Sequence, residues 1–159
     1  YYTYFYFFKP KNKLNLNKKK QEEYESVFPE IIDLLNELSN ISEQIDNPLG
    51  EKLNRITRII QNIIEINIES NTQITDQSKR IILNYSASLL EIIRKYKYLE
   101  ENGNNEIQLK ENKGKIFELM NSIEKIFSSI ENNFLNKQFF DLEIEIETMK
   151  KGIKLDGNE

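Results

Sequence analysis

The sequence predicts an all-α protein, an antiparallel bundle of about four to five helices. Apolar residues recur at alternating steps of three and four along most of the 159 residues, which gathers them on one helical face. Capping and helix-breaking residues punctuate those runs at short intervals. No Asn-Gly turn joins two runs of alternating apolar and polar residues, as a β-hairpin would require.

The first run is Tyr24, Phe28, Ile31, Leu35, Leu38, Ile41 and Ile45. Pro29 falls inside it and would clash with the carbonyl of Glu25 in a continuous helix. Either the helix starts near Ser26 with Pro29 in its first turn, or it kinks there. Asp46-Asn47-Pro48 signals a restart, a capping side chain followed by Pro at the first helical position. The second run, Leu49, Leu53, Ile56, Ile60 and Ile63, is rich in β-branched residues, yet its long 3/4 spacing favours a helix.

Ser70 to Asp76 form a polar break, with Thr75 or Asp76 as the expected cap. The third run is Ile82, Tyr85, Leu89, Ile92, Tyr96 and Leu99, and Glu101 to Asn105 make the next loop. The fourth run, Ile116, Met120, Ile123, Phe127, Ile130 and Phe134, is heptad-like, and Gly114 weakens its start. A last helix is expected from about Gln138 to Lys151, with Phe139, Leu142, Ile146 and Met149 inward and Gly152 ending it.

Charge divides the chain unevenly. Residues 1–20 carry six Lys and no acid, while residues 21–159 carry 16 basic and 26 acidic residues, a net charge of −10. An acidic body argues against a nucleic-acid partner, because affinity for phosphates comes mainly from Lys and Arg. Seven of the first eight residues are Tyr or Phe, and Lys9, Lys11, Lys13, Lys18, Lys19 and Lys20 follow. Aromatic rings followed by Lys mark the place where a chain leaves a bilayer on its cytoplasmic side. With no Met at position 1, the expectation is a chain cut inside or just after a membrane-spanning segment. Residues 1–20 would then be a membrane-proximal end and basic linker, and 21–157 the bundle domain. The same eight residues also suit an exposed end, or a strand packed on the body, since a span needs about 20 residues.

The chain contains no Cys and no His, and this removes most catalytic devices. No Ser–His or Cys–His nucleophile pair can be built, and zinc loses its favoured ligands. Gly114-Lys115 resembles the end of a phosphate-binding loop but lacks the upstream Gly, and Ile116 stands where Ser or Thr would bind Mg²⁺. A helix start explains it better. Glu143 and Glu147 share a helical face and could together hold a hard cation, or they form a solvated face. Tyr85 and Tyr96 fit the core and Tyr98 lies off that face. No catalytic residue, cofactor or metal ligand is assigned. The residues expected to act are Lys9, Lys11, Lys13, Lys18, Lys19 and Lys20, against a membrane surface.

Tyr96-Lys-Tyr-Leu99, Ile116-Phe-Glu-Leu-Met-Asn-Ser-Ile-Glu-Lys-Ile-Phe127, Asp141-Leu-Glu-Ile-Glu-Ile-Glu-Thr-Met149 and Leu155-Asp-Gly157 carry a family resemblance. Together they resemble the XpaC-like proteins, also called the 5-bromo-4-chloroindolyl phosphate hydrolysis family, over about residues 20–157. The resemblance implies a helical domain preceded by hydrophobic segments, in the setting of bacterial envelope stress. The family name implies phosphate-ester hydrolysis, but phosphoryl transfer needs a metal or convergent cations, and no such cluster is visible in the sequence. The expected function is therefore a non-catalytic interaction or accessory role. It would be exercised on the cytoplasmic face of a bacterial inner membrane, with a protein partner. A phosphate-ester hydrolase and a self-associating coiled coil built on Ile116 to Phe134 are the alternatives.

Overall fold

The computed structural model of the protein describes residues 16–157. It contains the helices α1 (Lys18–Val27), α2 (Ile31–Gln44), α3 (Leu49–Ser70), α4 (Asp76–Asn102) and α5 (Glu106–Gly157). No strand occurs among the described residues. The all-α bundle expected from the 3/4 spacing is thus the observed fold.

Local chemistry sets most boundaries. The Asn17 side chain accepts the Lys20 N–H at 2.8 Å and caps α1. Pro29 neither opens a helix nor kinks one, as the sequence had suggested. It separates two helices, with α1 closing at Val27 and the Phe28 N–H bonded to the Tyr24 carbonyl at 2.8 Å. Asn47 Oδ1 accepts the Glu51 N–H at 3.2 Å, and Pro48 is the cap residue of α3, one position earlier than expected. Thr75 caps α4 through its hydroxyl, which accepts the Ser78 N–H at 3.1 Å. Asn105 does the same for α5 by accepting the Gln108 N–H at 3.0 Å.

Helix α3 is the centre of the molecule. Its Leu49, Leu53, Ile56, Ile60, Ile63 and Ile64 are fully buried, and it packs on α1, α2 and α5. Helix α4 packs on α2 and α5, so α2 and α5 each bridge α3 and α4. Every residue of the first run, from Tyr24 to Ile45, is buried in this core. Gly50 lets α2 and α3 approach closely. A Cβ there would lie 2.8 Å from the Ser42 carbonyl oxygen and 2.9 Å from that of Ile45.

Three expectations are corrected. The face of α4 that is buried carries Ile82, Ser86, Leu89, Leu90, Ile93 and Tyr96, and Tyr85 is 42% exposed. Two apolar stripes overlap on this helix and share positions 82, 89 and 96. The bundle uses the one containing Ser86, which is wholly buried. Second, Gly114-Lys115 lies inside α5, which starts at Glu106, and is not a helix start. Third, no separate last helix forms. Residues 106–157 are one helix about 78 Å long, and neither Phe134-Leu-Asn-Lys-Gln138 nor Gly152 interrupts it. Asn and Leu tolerate a helix interior, and one Gly costs only about 1 kcal/mol against Ala there.

Candidate functional site

Helix α5 changes character along its length. Up to residue 134 its stripe Ile116, Met120, Ile123, Phe127 and Ile130 is buried, with Phe134 half-covered. The next positions of that stripe are Lys137 and Asp141, which cannot continue an apolar seam. Beyond them a second stripe begins with Phe139, Leu142, Ile146, Met149 and Ile153. The two are offset alternately by two residues and by one, which rotates the second by roughly 150° around the helix axis. The bundle cannot follow that rotation. Phe139 is 64% exposed, Met149 69%, and Leu142, Ile146 and Ile153 are also exposed. The inward placement expected for Phe139, Leu142, Ile146 and Met149 is therefore overturned. Residues 139–157 leave the bundle as a bare helix about 28 Å long, apolar on more than one side.

A monomeric fold gains little by holding Phe, Leu, Ile and Met in water, and contiguous exposed apolar surface of this kind marks interaction sites. The charges on the segment are ordered. Asp141, Glu143, Glu145 and Glu147 precede Lys150, Lys151 and Lys154. Glu143 and Glu147, the pair weighed as cation ligands, stand on this exposed helix. Among the described residues no group of three or more Asp or Glu is gathered as a metal site would need.

A shallow apolar groove lies where α4 and α5 run antiparallel. Ile92, Tyr96 and Leu99 face Leu109, Ile116 and Leu119 around a volume of about 330 Å³. Lys95, Asn112 and Lys115 form its polar rim. Burial pushes the Tyr96 hydroxyl above its ordinary value, helped by the charge of Glu100.

Two charged contacts fix helices to α3, and sequence reasoning missed both. Glu65 accepts from Lys20 Nζ at 2.5 Å and from the Tyr24 hydroxyl at 2.8 Å, which ties α1 down. Burial acts to raise the Glu65 carboxyl, but the bonds from Lys20 and Tyr24 outweigh it and hold it below the ordinary value. Tyr24 is driven well above its own ordinary value, first by burial and then by the Glu65 carboxylate. At the other end of α3, Lys52 is only 6% exposed. Its ammonium meets Glu124 at 2.6 Å and sits 5.2 Å from the centre of the Phe117 ring. Lys52 lies three residues after Leu49 and four before Ile56, so a Lys on an otherwise apolar face was the available signal. Glu65, set between Ile64 and Ile66, gave none.

The lysines expected to meet a membrane surface are distributed unevenly. Lys18 and Lys19 are exposed on the first turn of α1, while Lys20 is engaged by Glu65. Lys9, Lys11, Lys13 and the aromatic residues 1–8 lie outside the described residues. Helix α1 runs across the domain boundary expected at residues 20 and 21. No helix among the described residues is long and apolar enough to cross a membrane.

Comparison of the chain with protein-family models, with curated proteins and with solved structures finds no match in any of the three.

Proposed function

We propose that this protein is a non-catalytic interaction module, a helical bundle that presents the second half of α5 as a docking helix. One observation carries the reading: Phe139, Leu142, Ile146, Met149 and Ile153 form a continuous stripe that the bundle leaves exposed. The Ile116 to Phe134 run, which motivated a coiled coil, is used internally against the rest of the bundle, so docking belongs to the residues beyond it. The resemblance to XpaC-like proteins finds no support in the comparisons, and the proposal does not rest on it.

Photo-cross-linking in the native cell tests the reading. A photoreactive residue at 139, 142, 146 or 149 is expected to give discrete adducts, and one at the off-stripe positions 141 or 148 is not. Adducts at neither set, or at both sets equally, would remove the proposal.

A second part of the reading concerns place. The six Lys of residues 1–20, with no acid among them, set against a body of charge −10, support contact between this end and an anionic membrane surface. The cytoplasmic face of a bacterial inner membrane is the setting it fits. The protein is expected to co-sediment with vesicles containing 30% phosphatidylserine and not with neutral ones. Lys18→Glu with Lys19→Glu should weaken that binding, and equal binding to both vesicle types refutes it.

A further inference from the structure

The partner of the projecting helix can be read from its own residues. We propose that the second half of α5 pairs with the same segment of a second copy of this chain. The two helices run antiparallel, about a two-fold axis passing between Glu147 and Thr148. This rests on the reading of that segment as a docking helix and names its occupant.

The apolar stripe alternates steps of three and four, as a two-helix seam requires. About an axis between residues 147 and 148, Leu142 of one copy faces Ile153 of the other, and Ile146 faces Met149. Both layers repeat by symmetry. In such an antiparallel pair the positions that flank the seam meet their own kind, so Glu143 of each copy stands beside Lys150 of the other. The acidic block 141–147 of one helix then lies along the basic block 150–154 of its mate. A C2 interface needs this self-complementarity, with a patch on one copy matching the same patch on the other. Glu143 and Lys150 are both exposed, so both are free to cross the seam. In the structure Lys150 reaches only as far as Glu147, at 3.8 Å on a wet face.

Charge selects this arrangement over its competitors. Sliding the pair by one heptad toward the bundle keeps apolar residues opposed, but sets Glu143 against Glu143 and Glu145 against Glu145. Sliding it the other way sets Lys150 against Lys150 and brings Asp156 opposite Ile146 near the middle of the seam, whereas the register centred at 147/148 leaves Asp156 beside Phe139 at its ends. A parallel pair lays the two acidic blocks side by side. Of these, only the register centred at 147/148 sets Glu143 beside Lys150 and places no like charges against each other at the flanking positions. It also ends the second helix near Gln138, clear of the point where the bundle takes over α5.

The test is sedimentation equilibrium of the full chain in low salt, over a range of concentrations. A monomer–dimer equilibrium is expected. Glu143→Lys alone and Lys150→Glu alone each turn two attractive pairs into two repulsive ones, and each should weaken dimerisation by roughly tenfold. An equimolar mixture of the two variants should regain the dimer, because every pair across the seam is then opposite in charge. Raising the salt to 0.5 M should shrink these differences. Both positions lie outside the bundle, and unchanged helicity and unfolding midpoint would show that the variants fold. A strictly monomeric chain at all concentrations overturns the proposal. So does a dimer that Lys150→Glu leaves intact, or a mixture that recovers nothing. If the cell instead yields stripe-dependent adducts to a different protein, the docking reading stands and the second copy is the part that fails.

Discussion

At the residue scale, two ionic contacts of similar appearance differ in consequence. Glu65 is part-exposed and its carboxyl is held below the ordinary value of 4.5 by Lys20 and Tyr24. A carboxyl depressed in the folded state binds fewer protons there than in the unfolded chain. Its contribution is fully present above the unfolded value and is lost as pH falls through the folded one. Acid unfolding below about pH 4.5 should therefore lose part of its pH dependence in Glu65→Gln, measured by denaturant midpoints between pH 3 and 6. Lys20 and Tyr24 are shifted upward, so their contribution persists below their ordinary values and is lost as pH rises through the folded ones. Lys52 presents another balance. Its ammonium is desolvated against Phe117, and it is held by Glu124, which retains some contact with water. Lys52→Ala should cost about 1–3 kcal/mol, because it removes both the ion pair and the packed stem. Lys52→Met keeps the stem but leaves the part-covered Glu124 carboxylate without its partner, so it should cost less than Lys52→Ala without being neutral. Urea titration of the two variants separates them.

At the scale of elements, the glycines divide by their surroundings. Gly114 sits in the interior of α5 with no atom near the place a Cβ would take. Gly114→Ala should raise stability by about 0.5–1 kcal/mol through the reduced freedom of the unfolded chain. Gly50→Ala should lower it, since the added Cβ would meet two backbone carbonyl oxygens. Helix α5 itself joins two regimes. Its first half is held by packing, while its second half has only intrinsic propensity, and most helical stability in proteins comes from packing. Hydrogen exchange at dilute concentration should show amides 140–157 exchanging far faster than 116–130. Uniform protection along the helix would count against an unsupported second half.

At the scale of the whole molecule, the bundle does not need its projection. All of the fully buried core lies at or before Ile130. A chain ended after Gln138 should keep its unfolding free energy within roughly 0.5 kcal/mol, the range of substitutions made away from the core. A loss of several kcal/mol would mean that the projecting half packs on the bundle. Separating the two in this way would let the projection accept the proposed partner without disturbing the fold that holds it out.

The sequence by itself determined that the chain is helical and where α3 and α4 begin, because apolar periodicity and the capping side chains of Asn47 and Thr75 act over a few residues. It also determined the core of α2 and α3, where a single apolar stripe leaves no choice of face. Tertiary structure decided the rest. On α4, two stripes share three residues, and only the close packing at Ser86 selects between them, turning Tyr85 out to water. On α5, local signals permitted either two helices or one. Whether Phe139 to Met149 face inward depends on where the other helices stand, and the phase shift between the two stripes carries the second away from them. The contacts of Lys20 and Tyr24 with Glu65, and of Lys52 with Glu124, join residues 41 to 72 positions apart. Charge pairs at such distances follow from the packing of helices, and no local pattern encodes them.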